Sequence, residues 1–332
     1  MKEAAIGIDI GGTYTKFGLV DVKGNVLTEG SIPTKSEIGV EVFMETLSNK
    51  VKKAVDGLEE DFDLKGIGIG APNGNYYKGT IEHAPNLGWE GIVPFVKKFK
   101  NYIDLPMVLT NDANAAAIGE KVFGGAKDLN DYLVVTLGTG LGSGFVTRGK
   151  LIYGHDGMAG ELGHTNVYPD GRECNCGKKG CLETYASASG IVRTVFKLLA
   201  TNSVATPLRT YNYEKLTAKR ITELALEGDL VALEAYDYTA DILGLKLADA
   251  AAVTSPKAIF IFGGLAKAGD ILIAPTKKYF NQYLYPGLKG KIDIRLSELM
   301  DKNAAVLGSA ALVWSEIVNH EVIKVPQQSK TA

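Results

Sequence analysis

The sequence predicts an α/β protein of two domains built from one duplicated unit. Three observations carry that expectation. At 332 residues the chain is long for a single core. Strand and helix signals alternate along most of it. Finally, "IDIGGTYTKFGLVDVKGNVL" lies over "VTLGTGLGSGFVTRGKLI" with little difference in length, an internal repeat of a domain-sized unit.

The N-terminus reads as three short strands, "AAIGIDI", "TKFGLVDV" and "VLTEGSI", separated by glycines and by the turn signal "VKGN". A helix follows over 40–55, then the buried-strand run "KGIGIGAP". A helix over 92–101 leads to the strand "PMVLT" and an alanine-rich helix after Asn111–Asp112. The opening pattern then returns in "DYLVVTLGTGLGSGFVTRGKLIYG". Later, Val231, Ala235, Tyr238, Ile242, Leu245 and Ala248 step by three and four along a long helix with one apolar face. "KAIFIFGGLAKAG" reads as strand, glycine turn and helix start, and "NAAVLGSAALVW" as a late helix. The expected organisation is a first domain over 1–115, onto which a helix near 303–320 can pack back, a second over 116–320, and a polar tail over 321–332.

Composition excludes several classes. A formal charge of -2 gives no field for nucleic acid or an acidic membrane surface. The longest uncharged run is too short and too glycine-rich to span a bilayer. Asp9 stands where an export signal would need an apolar stretch, so a cytoplasmic location is expected. No G-x-x-x-x-G-K-[ST] occurs. "GIGIGA" fits the dinucleotide pattern only loosely, with Pro72 and Asn73 where a helix should begin.

All three cysteines, Cys174, Cys176 and Cys181, fall within eight residues. In a reducing compartment such clustering points to metal. Three thiolates need one more ligand for a closed tetrahedral zinc site, and His164 in "GELGH" is the candidate. Such a site is structural. His83, His155 and His320 lack ligand neighbours and read as ordinary polar residues. Glu161 and Glu183 bracket the cysteine loop, and carboxylates fixed in place accept hydrogen bonds from the hydroxyls of a polyol or sugar.

Two strand-ending turns, Asp9–Gly11–Gly12–Thr13 and Gly138–Thr139–Gly140, combine glycines with a threonine hydroxyl. Their backbone N–H groups can approach phosphate oxygens closely. In register within a repeat, they could clamp one polyphosphate between two domains. Asp9 is a candidate for holding Mg²⁺ or its water, and Lys16 a candidate phosphate neighbour. "LPMVLTNDANAAAIGE" runs from strand directly into helix. Asn111 or Asp112 can serve there as an N-cap, or Asp112 can accept a proton from a substrate hydroxyl.

Together these segments resemble the ROK family (repressors, open reading frames and sugar kinases). "GIDIGGTYTKFGLVD" and "TLGTGLGSGF" are similar to its two phosphate motifs, "TNDANAAAIGE" to its catalytic segment, and "GELGH" with "CNCGKKGCLE" to its sugar-and-zinc signature. The resemblance implies a two-domain hexokinase/actin-like (ribonuclease H-like) duplicated fold. It also implies an ATP-dependent kinase acting on the 6-hydroxyl of a hexose, glucose foremost, with Mg²⁺ on the phosphates and a homodimeric assembly. Asp112 is then the base, Asn86, Asn111, Glu161, His164 and Glu183 surround the sugar, and zinc sits on His164, Cys174, Cys176 and Cys181. "FGGLAKAG" resembles the adenosine-side turn and implicates Gly263 and Gly264. At "GAPNGN" the family usually has glycine where this chain has Asn73, which leaves the shape of that turn open. An N-acetylmannosamine or N-acetylglucosamine kinase remains the alternative enzyme. A sugar-responsive repressor, which would carry a DNA-binding helix-turn-helix before the first strand, is the non-enzyme alternative; here that strand is expected to begin by residue 4.

Overall fold

The computed structural model describes residues 1–34, 39–84, 86–300 and 303–318; His320 and the tail expected over 321–332 lie outside them. The chain divides into two compact units, one of Met1–Phe123 with the C-terminal helix from Ala305, the other of Gly124–Ala304.

In the first unit, β1 (Lys2–Ile10), β2 (Tyr14–Asp21) and β3 (Val26–Pro33) form an antiparallel meander. Helix α1 (Val40–Asp56) follows, then β4 (Phe62–Ala71), a small sheet of β5 (Gly74–Asn75), β6 (Thr80–Glu82) and β7 (Ile92–Val93), helix α2 (Phe95–Phe99), β8 (Met107–Asn111) and helix α3 (Asp112–Val122). The main sheet has the order β3-β2-β1-β4-β8, with β4 parallel to β1 and β8 parallel to β4. Alternation of buried Ile6, Ile8 and Ile10 with Ile67, Ile69 and Leu109 builds its core beside Phe43, Met44, Leu47 and Val51 of α1.

The helix expected over 92–101 is corrected by the structure. Ile92 and Val93 pair with β6, and helix begins only after Pro94, because the residue before a proline is driven to extended backbone. Helix α3 lies wholly within the first unit, so a boundary drawn at 115 would fall inside it.

The second unit repeats the plan. Strands β9 (Tyr132–Leu137), β10 (Leu141–Thr147) and β11 (Lys150–Leu151) form the meander. After the cysteine loop come α4 (Ala188–Thr201), α5 (Ala218–Leu226), α6 (Leu230–Thr254), β12 (Ala258–Phe262), α7 (Asp270–Tyr283) and β13 (Asp293–Leu296). The sheet order β11-β10-β9-β12-β13, with β12 and β13 parallel to β9, matches the first sheet strand for strand. The residue repeat therefore encodes a topological one. Helix α6 is more deeply enclosed than a single apolar face implies. Ala232, Tyr236, Ala240, Leu243, Leu247 and Ala251 are also buried, whereas Tyr238 and Leu245 are only half-buried. No helix among the described residues is long and apolar enough to cross a membrane.

Helix α8 (Ala304–Val318) returns to the first sheet. It lies against a row of glycines in register across three strands, Gly18, Gly7 and Gly68. A Cβ on Gly68 would run into the Ser309 carbonyl, and one on Gly7 into the Val306 carbonyl. Only glycine admits the helix backbone this close. Gly68→Ala is expected to lower unfolding free energy by about 1–3 kcal/mol through overpacking, measured by urea denaturation. An unchanged midpoint would contradict this packing.

Candidate functional site

Strand direction places the first unit's polar residues. Parallel pairing puts Asp9 opposite Gly70, and Gly70 opposite Thr110, one residue before Asn111. Asp9 and Asp112 thus emerge at the carboxyl ends of strands two apart, about 10 Å at ordinary strand spacing. Glycine between them keeps the intervening position low; a Cβ there would meet Ala115 and the Asp112 backbone. Asn111 caps α3, its Oδ1 accepting from the Ala113 N–H at 2.9 Å, and Asp112 Oδ1 accepts from the same N–H at 2.8 Å. Asn111 and Asp112 therefore share the Ala113 N–H at the start of α3.

Burial raises the Asp9 carboxyl to about 7, with repulsion from Asp112 adding to it and Lys16 opposing it. Lys16 stands directly across the β1–β2 ladder from Asp9. Asp112 remains accessible to solvent but is recessed. Burial raises its pKa above the ordinary aspartate value, and the Ala113 N–H pulls it back.

The Gly11–Thr13 turn closes through a Gly11 N–H to Tyr14 carbonyl bond of 3.1 Å, leaving Gly12 and Thr13 exposed. Gly12 sits against Asn86, whose backbone oxygen would lie 3.0 Å from an added Cβ. Asn86 is exposed while its neighbours Leu87 and Trp89 anchor in the core. In the nearby turn Asn73 adopts φ 51°, the left-handed region that asparagine tolerates. Its side-chain amide donates to the His83 carbonyl at 3.1 Å.

In the second unit the predicted cluster assembles. One ligating atom from each of His164, Cys174, Cys176 and Cys181 lies within 4.8 Å of every other. Cys174 Sγ is 3.7 Å from His164 Nδ1, and Cys176 Sγ is 3.7 Å from Cys181 Sγ. Around a tetrahedral zinc with bonds of about 2.0–2.3 Å, ligand atoms stand ~3.4–3.8 Å apart. Donor chemistry and spacing both fit that ion. The loop is a knuckle closed by the Glu173–Lys179 bridge and a Cys174 N–H to Lys178 carbonyl bond of 2.9 Å.

His164 and Glu161 sit on a short turn tucked onto β10, where Ser143 Oγ donates to the Gly160 carbonyl and accepts from the Leu162 N–H. With Nδ1 turned to the cysteines, His164 presents Nε2 to Glu161 Oε2 at 3.9 Å. Glu183 reaches further than its place in the sequence suggests. Its Oε1 accepts from Cys174 Sγ at 2.9 Å, and its Oε2 would lie 2.5 Å from a Cβ on Gly140. One carboxylate therefore touches both the cysteine knot and the second glycine turn. Burial, then the Glu183 hydrogen bond, push the Cys174 thiol up. Gly263, at φ 104°, packs on the Leu137 backbone, whereas Gly138 and Gly264 face open space.

Residues 5–316 match the ROK family. The chain belongs to the ROK family. It is 38% identical to a glucokinase of Halalkalibacterium halodurans, across 93% of this chain and 94% of that protein. It is 31% identical to a xylose repressor of Caldicellulosiruptor bescii, across 95% of this chain and 79% of the repressor. Among solved structures, a ROK family glucokinase from Streptomyces griseus in complex with glucose and AMPPNP is 34% identical. That match covers 93% of this chain and 98% of that one, with a TM-score of 0.78. The two-unit plan is thus the hexokinase/actin-like fold of ROK sugar kinases.

Sequence reasoning missed Ser187 and Ser189, which follow the cysteine loop. Ser187 caps α4, and Ser189 Oγ donates to the Thr139 carbonyl at 2.8 Å. A serine just before an apolar-periodic run was the available signal. If the knot holds zinc, the purified protein is expected to carry about one equivalent by mass spectrometry. Cys181→Ser should then lose most of it and unfold at a lower temperature. Metal-free wild-type protein with an unchanged melting temperature would contradict this.

Proposed function

We propose that this ROK protein transfers the γ-phosphoryl group of ATP to the 6-hydroxyl of glucose. The observation that carries the reading is Asp112, a recessed carboxylate at the first turn of α3, two strands from Asp9 at the same sheet edge. The glucokinase relatives, one of them bound to glucose and AMPPNP, support the choice of substrates.

In this reading Asp112, Asn111, Asn86, Glu161, His164 and Glu183 bind the sugar. Asp112 accepts the proton as O6 attacks the γ-phosphorus. The new O–P bond forms while the bond to the β-bridging oxygen breaks, ADP departs, and the proton later passes to water. Phosphoryl transfer is loose, so positioning and charge stabilisation dominate. Gly11, Gly12, Thr13, Gly138, Thr139 and Gly140 offer N–H and hydroxyl donors to the phosphates, with Lys16 beside them and Gly263–Gly264 beside the adenosine. Asp9 would hold Mg²⁺ or its water, and the ion would neutralise phosphate charge. Zinc on His164, Cys174, Cys176 and Cys181 would rigidify the turn that carries the sugar-binding carboxylates. A homodimer in the cytoplasm completes the proposal.

The raised pKa gives Asp112→Asn a definite sign. An acid whose folded pKa is raised favours folding below its unfolded pKa, and that contribution is lost as pH rises through the folded pKa. At neutral pH the charge of this recessed, solvent-accessible carboxylate therefore weakly opposes folding. Removing it should leave the melting temperature equal or higher, because the Asn111 cap remains. ADP release with glucose should meanwhile fall by about 10²–10⁴. Near-normal turnover would refute the assignment. The same assay with mannose, N-acetylmannosamine and N-acetylglucosamine is expected to rank glucose first; preference for an N-acetyl sugar would replace glucose as substrate.

A further inference from the structure

Arg172 opens the cysteine turn, but its guanidinium is spent elsewhere. Nη1 donates to the carbonyls of Thr184 at 2.7 Å and Gly190 at 3.0 Å, and Nη2 donates to Thr194 Oγ1 at 3.0 Å. The same group lies 4.5 Å from the Tyr185 ring centroid. These hydrogen-bond partners are all neutral. Confining a cation among carbonyls and a ring costs solvation, and the fixed planar fork is what recovers it.

The two carbonyls on Nη1 bracket a short strap, residues 184–190, whose contacts lead to both candidate ligands. At one end Ser187 Oγ donates to the Glu183 carbonyl at 2.6 Å and accepts from the Gly190 N–H at 3.0 Å. At the other, the Ala188 N–H donates to the Gly138 carbonyl at 2.9 Å and Ser189 Oγ to the Thr139 carbonyl at 2.8 Å. The backbone of Arg172 meanwhile holds the base of the cysteine turn. Its N–H donates to Tyr185 Oη at 2.9 Å, and its carbonyl accepts from the Gly180 N–H at 2.8 Å.

We infer that Arg172 is a positioning residue that ties the cysteine turn to the Gly138–Gly140 loop, so that sugar and nucleotide contacts in the second unit share one anchor. The roles of Glu183 and Thr139 in this statement rest on the kinase reading; the mechanical tie does not. Arginine is needed because two nitrogens of one rigid fork serve three acceptors. A lysine keeps the charge but offers a single point of attachment.

The test uses the full chain with its metal. Arg172→Lys is expected to keep the wild-type zinc content, since none of the four ligands is changed. Calorimetry should show dissociation constants for glucose and for Mg–AMPPNP rising together, each by about tenfold. Ser189→Ala should weaken AMPPNP alone. The AMPPNP effects of the two substitutions should combine to less than their product, because both act on one path. Hydrogen exchange at the Ala188 amide should accelerate at least tenfold in Arg172→Lys whatever the ligand. A purely local staple for α4 would leave AMPPNP affinity and Ala188 exchange at wild-type values, and that result overturns the inference. If wild-type protein binds no AMPPNP, the kinase reading fails, and Ala188 exchange still decides the tie. Should Arg172→Lys fail to fold, Thr194→Val removes only the Nη2 acceptor. A milder acceleration at Ala188 is then expected, and no change would overturn the inference.

Discussion

Two carboxylates brought to one sheet edge set the terms for the first unit. Parallel pairing of β1, β4 and β8 brings out Asp9 and Asp112 on either side of Gly70, where Asp112 raises the cost of charge on Asp9. Between about pH 4 and the Asp9 value of about 7, the folded chain holds a proton that the unfolded chain has released. Folding is therefore progressively opposed by ionisation as pH rises through that window. Lys16, the Ala113 N–H and the amino end of α3 offset part of this repulsion. A site arranged this way favours whatever brings positive charge to Asp9 and a hydroxyl proton to Asp112, which is what phosphoryl transfer to a sugar would bring.

The second unit meets a different demand. Glu161 and Glu183 stand on irregular turns, where loop entropy would scatter them. The Ser143 bonds under the Glu161 turn and the Arg172 fork limit that freedom, and an ion on the histidine–cysteine cluster would limit it further. Glu183 belongs to the knot and to the glycine loop at once, so tightening one tightens the other.

Much of this was legible in the sequence because it depends on residue type at fixed spacing. Period-two strands, paired glycine–threonine turns and Cys-x-Cys-x4-Cys with His164 all follow that rule; the structure shows two sheets of matching order and brings the histidine and cysteine ligand atoms within 4.8 Å of one another. What stayed hidden depends on register or on distant partners. The glycine row Gly18–Gly7–Gly68 exists only once three strands are aligned, so the bed for α8 could not be read from any one segment. Ile92–Val93 looked helical until their pairing with β6 and the proline after them decided otherwise. In the stretch "YASASG", Ser187 and Ser189 connect the turn at Glu183 to the glycine turn at Thr139, which no local spacing announces. Asn73 departs from the family's glycine in type and stands in the left-handed region that glycine adopts freely.

The paired carboxylates can be observed directly. With ¹³C-labelled aspartate, the Asp9 carboxyl of the ligand-free protein is expected to titrate near 7, and to move towards the ordinary aspartate range in Asp112→Asn, where the like charge is gone. An Asp9 that titrates near 4 in wild-type protein, or that ignores the loss of Asp112, would contradict the shared site on which the proposed chemistry rests.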